Sequence, residues 1–348
     1  MSIELTYIRS SMKGTHDLCN MRFFIEYILG FTGHGNKKAM LGTMVHKVME
    51  VLAKVKLAHQ NNELNPEKWE KYITDEAVGE CTTIPQDINL DSIIESVYNY
   101  YAKSFDHAWT EKDFKEVKLW CYKTLSYQDG EFDPRKQTIV QPEQHFDRPL
   151  EEEWALKPNG EYLRLKGTID LIVKVDDKTY EIVDYKTGKR INWATGEEKT
   201  YEKLMNDFQL RFYHLAACIL YPDIETILVT IFFINDGGPF TVSFGKKDIP
   251  ETVRQIKELY TAIVETTKPR LNRSWKCRFC DQSKSTFEGT NILPILQYKN
   301  GIFSKKGDNM SRCEQLEYVF EYKDIDMVIS NMSKENFSSA TYKAPGEV

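Results

Sequence analysis

Between Tyr162 and Lys186 the chain alternates apolar and polar residues twice, with a short run of turn-forming residues between, and this pattern admits little besides a β-hairpin. In the first arm, Tyr162–Val175, the odd positions carry Leu163, Leu165, Ile169, Leu171, Val173 and Val175. Asp170 is left on the other face with Thr168 and Lys166. In the second arm, Tyr180–Lys186, Asp184 and Lys186 are two residues apart and therefore point the same way. Asp176, Asp177, Lys178 and Thr179 supply the turn. A loop centred on Asp177 sets residue 170 opposite residue 184, so that both aspartates share a face; a slip of one residue would separate them.

Two carboxylates with no cysteine or histidine between them suit a hard, oxygen-seeking cation, Mg²⁺ or Mn²⁺, better than zinc. Lys186, one pleat beyond Asp184, can reach back to polarise a water or to stabilise charge building on a phosphate. The competing reading is an exposed hairpin with ordinary surface charges.

Other stretches bear on that choice. The helical text from about Lys38 to His59 has an apolar stripe of Leu41, Val45, Val48, Leu52 and Val55, with Gly42, His46 and Glu50 on the neighbouring face. His46 thus lies at the edge of the stripe, able to look toward an adjacent sheet. A strand is expected at Thr138–Phe146, whose Pro142 suits a sheet edge. A long helix is expected from Thr200 to Leu220, in which Gln209 and Tyr213 are four apart and stack on one face.

Taken in order, these residues resemble the PD-(D/E)XK nucleases, specifically their RecB-type branch. Gly167-Thr168-Ile169-Asp170 and Asp184-Tyr185-Lys186-Thr187-Gly188 match the G-x-x-D and D-x-K-T-G of the family. Gly42–His46 looks like the branch's G-x-x-x-H, and Glu143 stands where a glutamate often precedes the hairpin. Gln209–Tyr213 looks like its Q-x-x-x-Y helix. The resemblance implies catalytic roles for Asp170, Asp184, Lys186, Glu143, Gln209 and Tyr213, with His46, Asp170 and Asp184 holding Mg²⁺ or Mn²⁺. It also implies a restriction-endonuclease-like α/β core, a mixed central sheet flanked by helices. The division expected is an N-terminal helical segment at 1–36 and a core at 37–268 with a helical insertion at about 61–137. A cysteine-containing basic segment at 269–288 and a C-terminal accessory segment at 289–348 follow.

The net charge of −6 excludes a generally basic nucleic-acid coat, so contact with a polyanion has to be local. The best candidate is KPRLNRSWKCRFCDQSK, residues 268–284, where Lys268, Arg270, Arg273, Lys276 and Arg278 could meet phosphates and Trp275 and Phe279 could stack on bases. A solvated charged loop is the alternative. No apolar run is long enough to span a bilayer: Ile227–Ile234 is broken by Thr230. Glu4, Arg9 and Lys13 interrupt any signal-peptide core, and an intracellular protein is expected.

Seven cysteines in such a compartment argue for thiols or metal ligation. Cys81, Cys121 and Cys218 fall in helical text. In iron–sulfur members of the branch, one cysteine before the core and three after it bind a [4Fe–4S] cluster. Cys19, Cys277 and Cys280 match three of those places, but residues 284–287 lack the fourth and Cys313 would have to substitute. Iron–sulfur, zinc and no metal all remain open.

The expectation is therefore a metal-dependent DNA nuclease, an exonuclease on single-stranded or end-bearing DNA in recombination, repair or phage replication. The C-terminal segment would be free to meet a protein partner. The alternatives are a catalytically idle nuclease fold acting as a DNA-binding or scaffold subunit, and a binding module centred on Cys277 and Cys280.

Overall fold

The computed structural model describes residues 3–31, 33, 35–61, 69–74, 88–105, 107–191, 195–285, 287, 310–321 and 324–330. Strand β1 (Tyr7–Ile8) leads into α1 (Ser10–Leu18) and α2 (Asn20–Phe23), which runs on as a wider turn over Phe24–Ile28. Then come α3 (Lys37–Gln60), α4 (Leu90–Ser104) and α5 (Glu111–Ser126). Strands β2 (Ile139–Pro149), β3 (Arg164–Lys174) and β4 (Thr179–Lys186) form the centre. They are followed by α6 (Tyr201–Met205), α7 (Phe208–Leu220), β5 (Thr226–Phe233), β6 (Gly238–Gly245) and α8 (Ile249–Val264). Beyond two short turns, Trp275–Phe279 and Asp281–Ser283, lie α9 (Arg312–Val319) and α10 (Ile325–Ser330).

The strands make one mixed sheet in the order β1-β3-β4-β5-β6, with β2 paired to β3. Because β2 covers β3 from Arg164 to Val173, the other edge of β3 is shared: β1 pairs at Arg164–Leu165 and β4 at Leu171–Lys174. β2 is thus an outer strand, where Pro142 removes no needed ladder bond.

Each face of the sheet buries its own core. On one, Met44, Val45, Val48, Leu52 and Val55 of α3 join Ile93, Val97, Val117 and Trp120 of α4 and α5 over Leu171, Val173, Val183 and Tyr185. On the other, Leu210, Phe212 and Leu215 of α7 and Ile256 and Leu259 of α8 pack with the N-terminal helices over Ile169, Ile182, Val229 and Ile231. α3 starts where the sequence predicts, because the Asn36 side chain accepts the Ala39 N–H at 2.9 Å.

The N-terminal helical segment and the helix expected at Thr200–Leu220 are each broken. The first is interrupted at Cys19, whose φ of −165° and ψ of 113° are extended. There the Met21 N–H donates to Arg270 O, a contact with distant chain that helix periodicity cannot announce. Thr200–Leu220 divides at Asn206–Asp207, because Asp207 caps α7 by accepting the Gln209 N–H at 2.9 Å. Cys81 and most of the accessory segment, residues 289–309, 322–323 and 331–348, lie outside the described residues. Among the described residues no helix is long and apolar enough to cross a membrane.

Candidate active site

β3 and β4 pair through Leu171–Val183, Ile172–Ile182, Val173–Glu181 and Lys174–Tyr180, and the same register carried one step further sets Asp170 opposite Asp184. The ladder ends at that step. The Tyr185 N–H donates instead to Asp170 Oδ2 at 3.2 Å, so the carboxylate occupies the place of a strand partner in the gap between the two strands.

The expected alternation along β3 slips here by one residue. Ile169 packs in the core under α7, Leu171 and Val173 in the core under α3, and Ile172 again under α7. Val175, beyond the end of the strand, is 52 % exposed. Across from the slip, Glu143 sits between the pairs Pro142–Leu171 and Gln144–Ile169 with a φ of +46°, a left-handed conformation that costs a residue with a Cβ of order 1 kcal/mol. The distortion turns Glu143 and Asp170 toward α3, where they line a cleft with His46, Glu50 and Tyr185.

Asp184 is almost wholly buried. Its Oδ1 accepts from Lys186 Nζ at 2.9 Å and from Gln209 Nε2 at 3.4 Å, and the same amide donates to Tyr213 OH at 3.1 Å. Its Oδ2 lies 2.7 Å from the ammonium and makes no hydrogen bond. From the other side of the sheet, His46 Nδ1 stands 3.1 Å from Asp170 Oδ2. α3 comes this close because Gly42 has no side chain: a Cβ there would meet Thr187 Oγ1 at 2.8 Å. The glycine of G-x-x-x-H thus sets the height of the histidine over the hairpin.

These groups titrate together. Burial would raise the Asp170 pKa, but His46, Lys186 and the Tyr185 N–H outweigh it and hold the carboxyl below its usual range. Asp184 goes the other way: burial and the charge of Asp170 raise it against the pull of Lys186. For Lys186, burial is overcome by Asp184, Tyr213 and Asp170, and its pKa rises. His46 is likewise raised, with Asp170 prevailing over burial. Glu143 is pushed up to about 7 by burial, then by Glu50 and Asp170.

Glu50 was placed beside His46 by the sequence but given no role there. It is 6 % exposed and paired with Lys47 at 2.8 Å and Lys54 at 2.5 Å. In the sequence it stands one helical turn beyond His46 on the same face, and nothing in that spacing separates it from a surface acid.

The sequence matches the PD-(D/E)XK nuclease superfamily over residues 15–284, well beyond half of the chain. The chain belongs to the PD-(D/E)XK nuclease superfamily. Its mixed six-stranded sheet flanked by helices is the restriction-endonuclease-like fold of that superfamily. Among solved structures it is similar to a protein from Eubacterium rectale described as a "Putative exonuclease", with 13 % identity, a TM-score of 0.43, and coverage of 79 % of this chain and 86 % of that one. It is also similar to SSO0001, with 15 % identity, a TM-score of 0.29, and coverage of 67 % and 92 %. At those scores neither likeness carries an argument, and the assignment rests on the sequence match. No curated protein matches.

PD-(D/E)XK nucleases generally use Mg²⁺ or Mn²⁺. Among the described residues no three His, Cys, Asp or Glu side chains are gathered closely enough to hold a metal ion as they stand, since Asp184 is drawn to Lys186 and Asp170 to His46. The donor set nevertheless fits a hard cation: carboxylates of Asp170 and Asp184 in one electrostatic neighbourhood, with a buried Asp184 oxygen lacking a hydrogen bond.

Cys313 is buried in the core with Cys19 packed against it, and it feels the charges of Cys280, Cys19 and Cys277, but no three of these thiols are gathered closely enough to hold a metal ion as they stand. The Cys313 thiol is pushed up to about 12 by burial and then by Cys280, Cys19 and Cys277. All four are free thiols. Cys121 and Cys218 sit in α5 and α7, away from that group. In the basic segment, Arg273 is paired with Glu317, whereas Lys268, Arg270 and Arg278 are exposed and Lys276 half-buried.

Proposed function

We propose that this protein is a divalent-metal-dependent deoxyribonuclease of the RecB-type branch, acting as an exonuclease on single-stranded or end-bearing DNA in recombination, repair or phage replication. The observation that carries the proposal is the pair His46–Asp170 beside the pair Lys186–Asp184 at the step where the β3–β4 ladder ends.

Asp170, Asp184 and His46 would hold Mg²⁺ or Mn²⁺, with Glu143 reaching it through water. The bound cation supplies a polarised water and a counter-charge for the phosphate being cut. Lys186, whose carboxylate neighbours keep it protonated, presents a full positive charge to the phosphate and orients the water rather than removing its proton. Gln209 fixes Asp184 through one amide hydrogen and Tyr213 through the other. Tyr213, raised by burial and by Asp184, keeps its proton and can donate it to a phosphate oxygen.

Residues 37–268 would form the catalytic core with its insertion at about 61–137, and residues 1–36 and 269–288 would be joined through the cysteines. Cys19, Cys277, Cys280 and Cys313 would be the donor set for a [4Fe–4S] cluster or for Zn²⁺, the third alternative being that they hold no metal. The visible absorption and metal content of anaerobically purified protein distinguish them. The basic residues Lys268, Arg270, Arg273, Lys276 and Arg278 would meet DNA phosphates, and residues 289–348 a protein partner inside the cell. Against an idle scaffold stands the presence of Asp170, Asp184 and Lys186, with Lys186 paired to Asp184.

The test is digestion of end-labelled linear and circular DNA, single- and double-stranded, with Mg²⁺, Mn²⁺ or EDTA. The proposal expects linear substrates to be degraded only with a divalent cation and circular single strands to persist. Failure to cut any substrate with either metal refutes it.

A further inference from the structure

The two most exposed large apolar side chains among the described residues, Trp275 at 58 % and Phe279 at 63 %, stand side by side. Their ring centroids are 6.0 Å apart at 90°, and the Arg278 guanidinium lies 5.3 Å from one and 4.8 Å from the other. Lys276 approaches Trp275 as well, at 5.9 Å. The cost of leaving two such rings in water is not offset by any packing of their own turn, which buries nothing.

The turn that carries them is firmly seated. Ser274 caps it by accepting the Lys276 N–H at 3.3 Å. The segment leading into it is tied to the N-terminal helices, with Asn272 Nδ2 donating to Leu18 O at 2.9 Å and Met21 N–H to Arg270 O at 3.1 Å. A fixed turn that presents two aromatic faces and a cation is built to receive something flat and electron-rich. Residues 268–284 contain six basic residues against Asp281 alone, so the occupant is also anionic. Bases stacked on aromatic rings, with their phosphates among Lys and Arg, meet both conditions at once. A protein surface would have to set an aromatic side chain and acidic residues side by side to do the same.

We propose that Trp275, Arg278 and Phe279 form a stacking platform for unpaired bases of single-stranded DNA, outside the catalytic cluster of Asp170, Asp184 and Lys186. The proposal rests on the nuclease reading for its choice of DNA as ligand. The platform engages bases without regard to sequence and discriminates single strands, whose bases are free, from intact duplex.

The test is fluorescence anisotropy with a labelled oligothymidylate and a blunt duplex of equal length, in EDTA so that nothing is cut. Wild-type protein is compared with Trp275→Ala/Phe279→Ala and with Trp275→Phe, and thermal melts verify that each is folded. The expected result is a loss of about tenfold or more in single-strand affinity for the double variant, near-normal affinity for Trp275→Phe, and little change for duplex. Equal single-strand affinity in wild type and double variant overturns the platform and leaves the rings as a contact for another protein. The two readings fail separately. Cleavage by wild type with unchanged binding by the variant sinks only the platform, whereas lost binding by the variant with no cleavage by wild type sinks only the nuclease.

Discussion

His46 Nδ1 lies 3.1 Å from Asp170 Oδ2, tying a helix on one face of the sheet to the residue at which the β3–β4 ladder stops. Losing the imidazole would leave Asp170 with the Tyr185 N–H and the more distant charge of Lys186. His46→Ala is expected to lose about 10- to 100-fold in cleavage rate at a fixed Mg²⁺ concentration, with partial recovery at higher metal. Steady-state rates across a metal titration check this; an unaltered metal dependence would remove His46 from the ligand set.

Gly42 and Gly14 are both helical glycines with opposite surroundings. A Cβ at Gly42 meets Thr187 Oγ1 at 2.8 Å, and one at Gly14 meets nothing within 4 Å. Gly42→Ala should therefore destabilise by roughly 1–3 kcal/mol and reduce activity by lifting His46, with Thr187→Ala restoring part of both. Gly14→Ala should be neutral or stabilising by up to about 1 kcal/mol. Urea unfolding of the three variants is the measurement, and equal effects at the two glycines would contradict the packing account.

Gln209 touches both Asp184 and Tyr213, so removing its amide frees both. Gln209→Ala and Tyr213→Phe are expected to slow cleavage by about tenfold or more each. Their combination should cost less than the product, because the pair acts as one unit. A fully multiplicative double variant would show that they act independently.

The hairpin, its register and the pairing of Gln209 with Tyr213 were legible because each follows from a period of two or of 3.6 residues. What periodicity could not show is what long-range contacts impose. The slip at Asp170–Leu171 and the left-handed Glu143 opposite it break the alternation on which the strands were read. The extended Cys19 depends on a hydrogen bond to residue 270, and the break before α7 on a cap from Asp207. Glu50 was visible as a charge on the face of α3, but only its burial and its neighbours Lys47 and Lys54 mark it as more than a surface acid.

His214 provides a pH dependence separate from the site. Its ring is fully buried, 5.1 Å from Phe244 and 3.3 Å from Cys218 Sγ, and burial drops its pKa to about 4, with Asp248 opposing and Arg211 adding to the fall. The unfolded chain, with an ordinary imidazole near 6.5, binds more protons than the folded one between those two values. The contribution of His214 to stability is therefore greatest above pH 6.5, declines as the pH falls toward 4, and is lower by roughly 3 kcal/mol across the window. Urea midpoints at pH 7 and 4.5 should converge in His214→Phe relative to wild type; identical pH slopes in the two proteins would rule the assignment out.

The central claim is that Asp184, buried between Lys186 and Gln209, is indispensable to phosphodiester hydrolysis and not to the fold. Its most direct test is single-turnover digestion of end-labelled linear DNA by purified Asp184→Ala with Mg²⁺ or Mn²⁺, alongside circular dichroism and DNA binding in EDTA. The account predicts a folded protein that binds DNA as wild type does and leaves it uncut. Retained metal-stimulated cleavage by a homogeneous Asp184→Ala sample would contradict it.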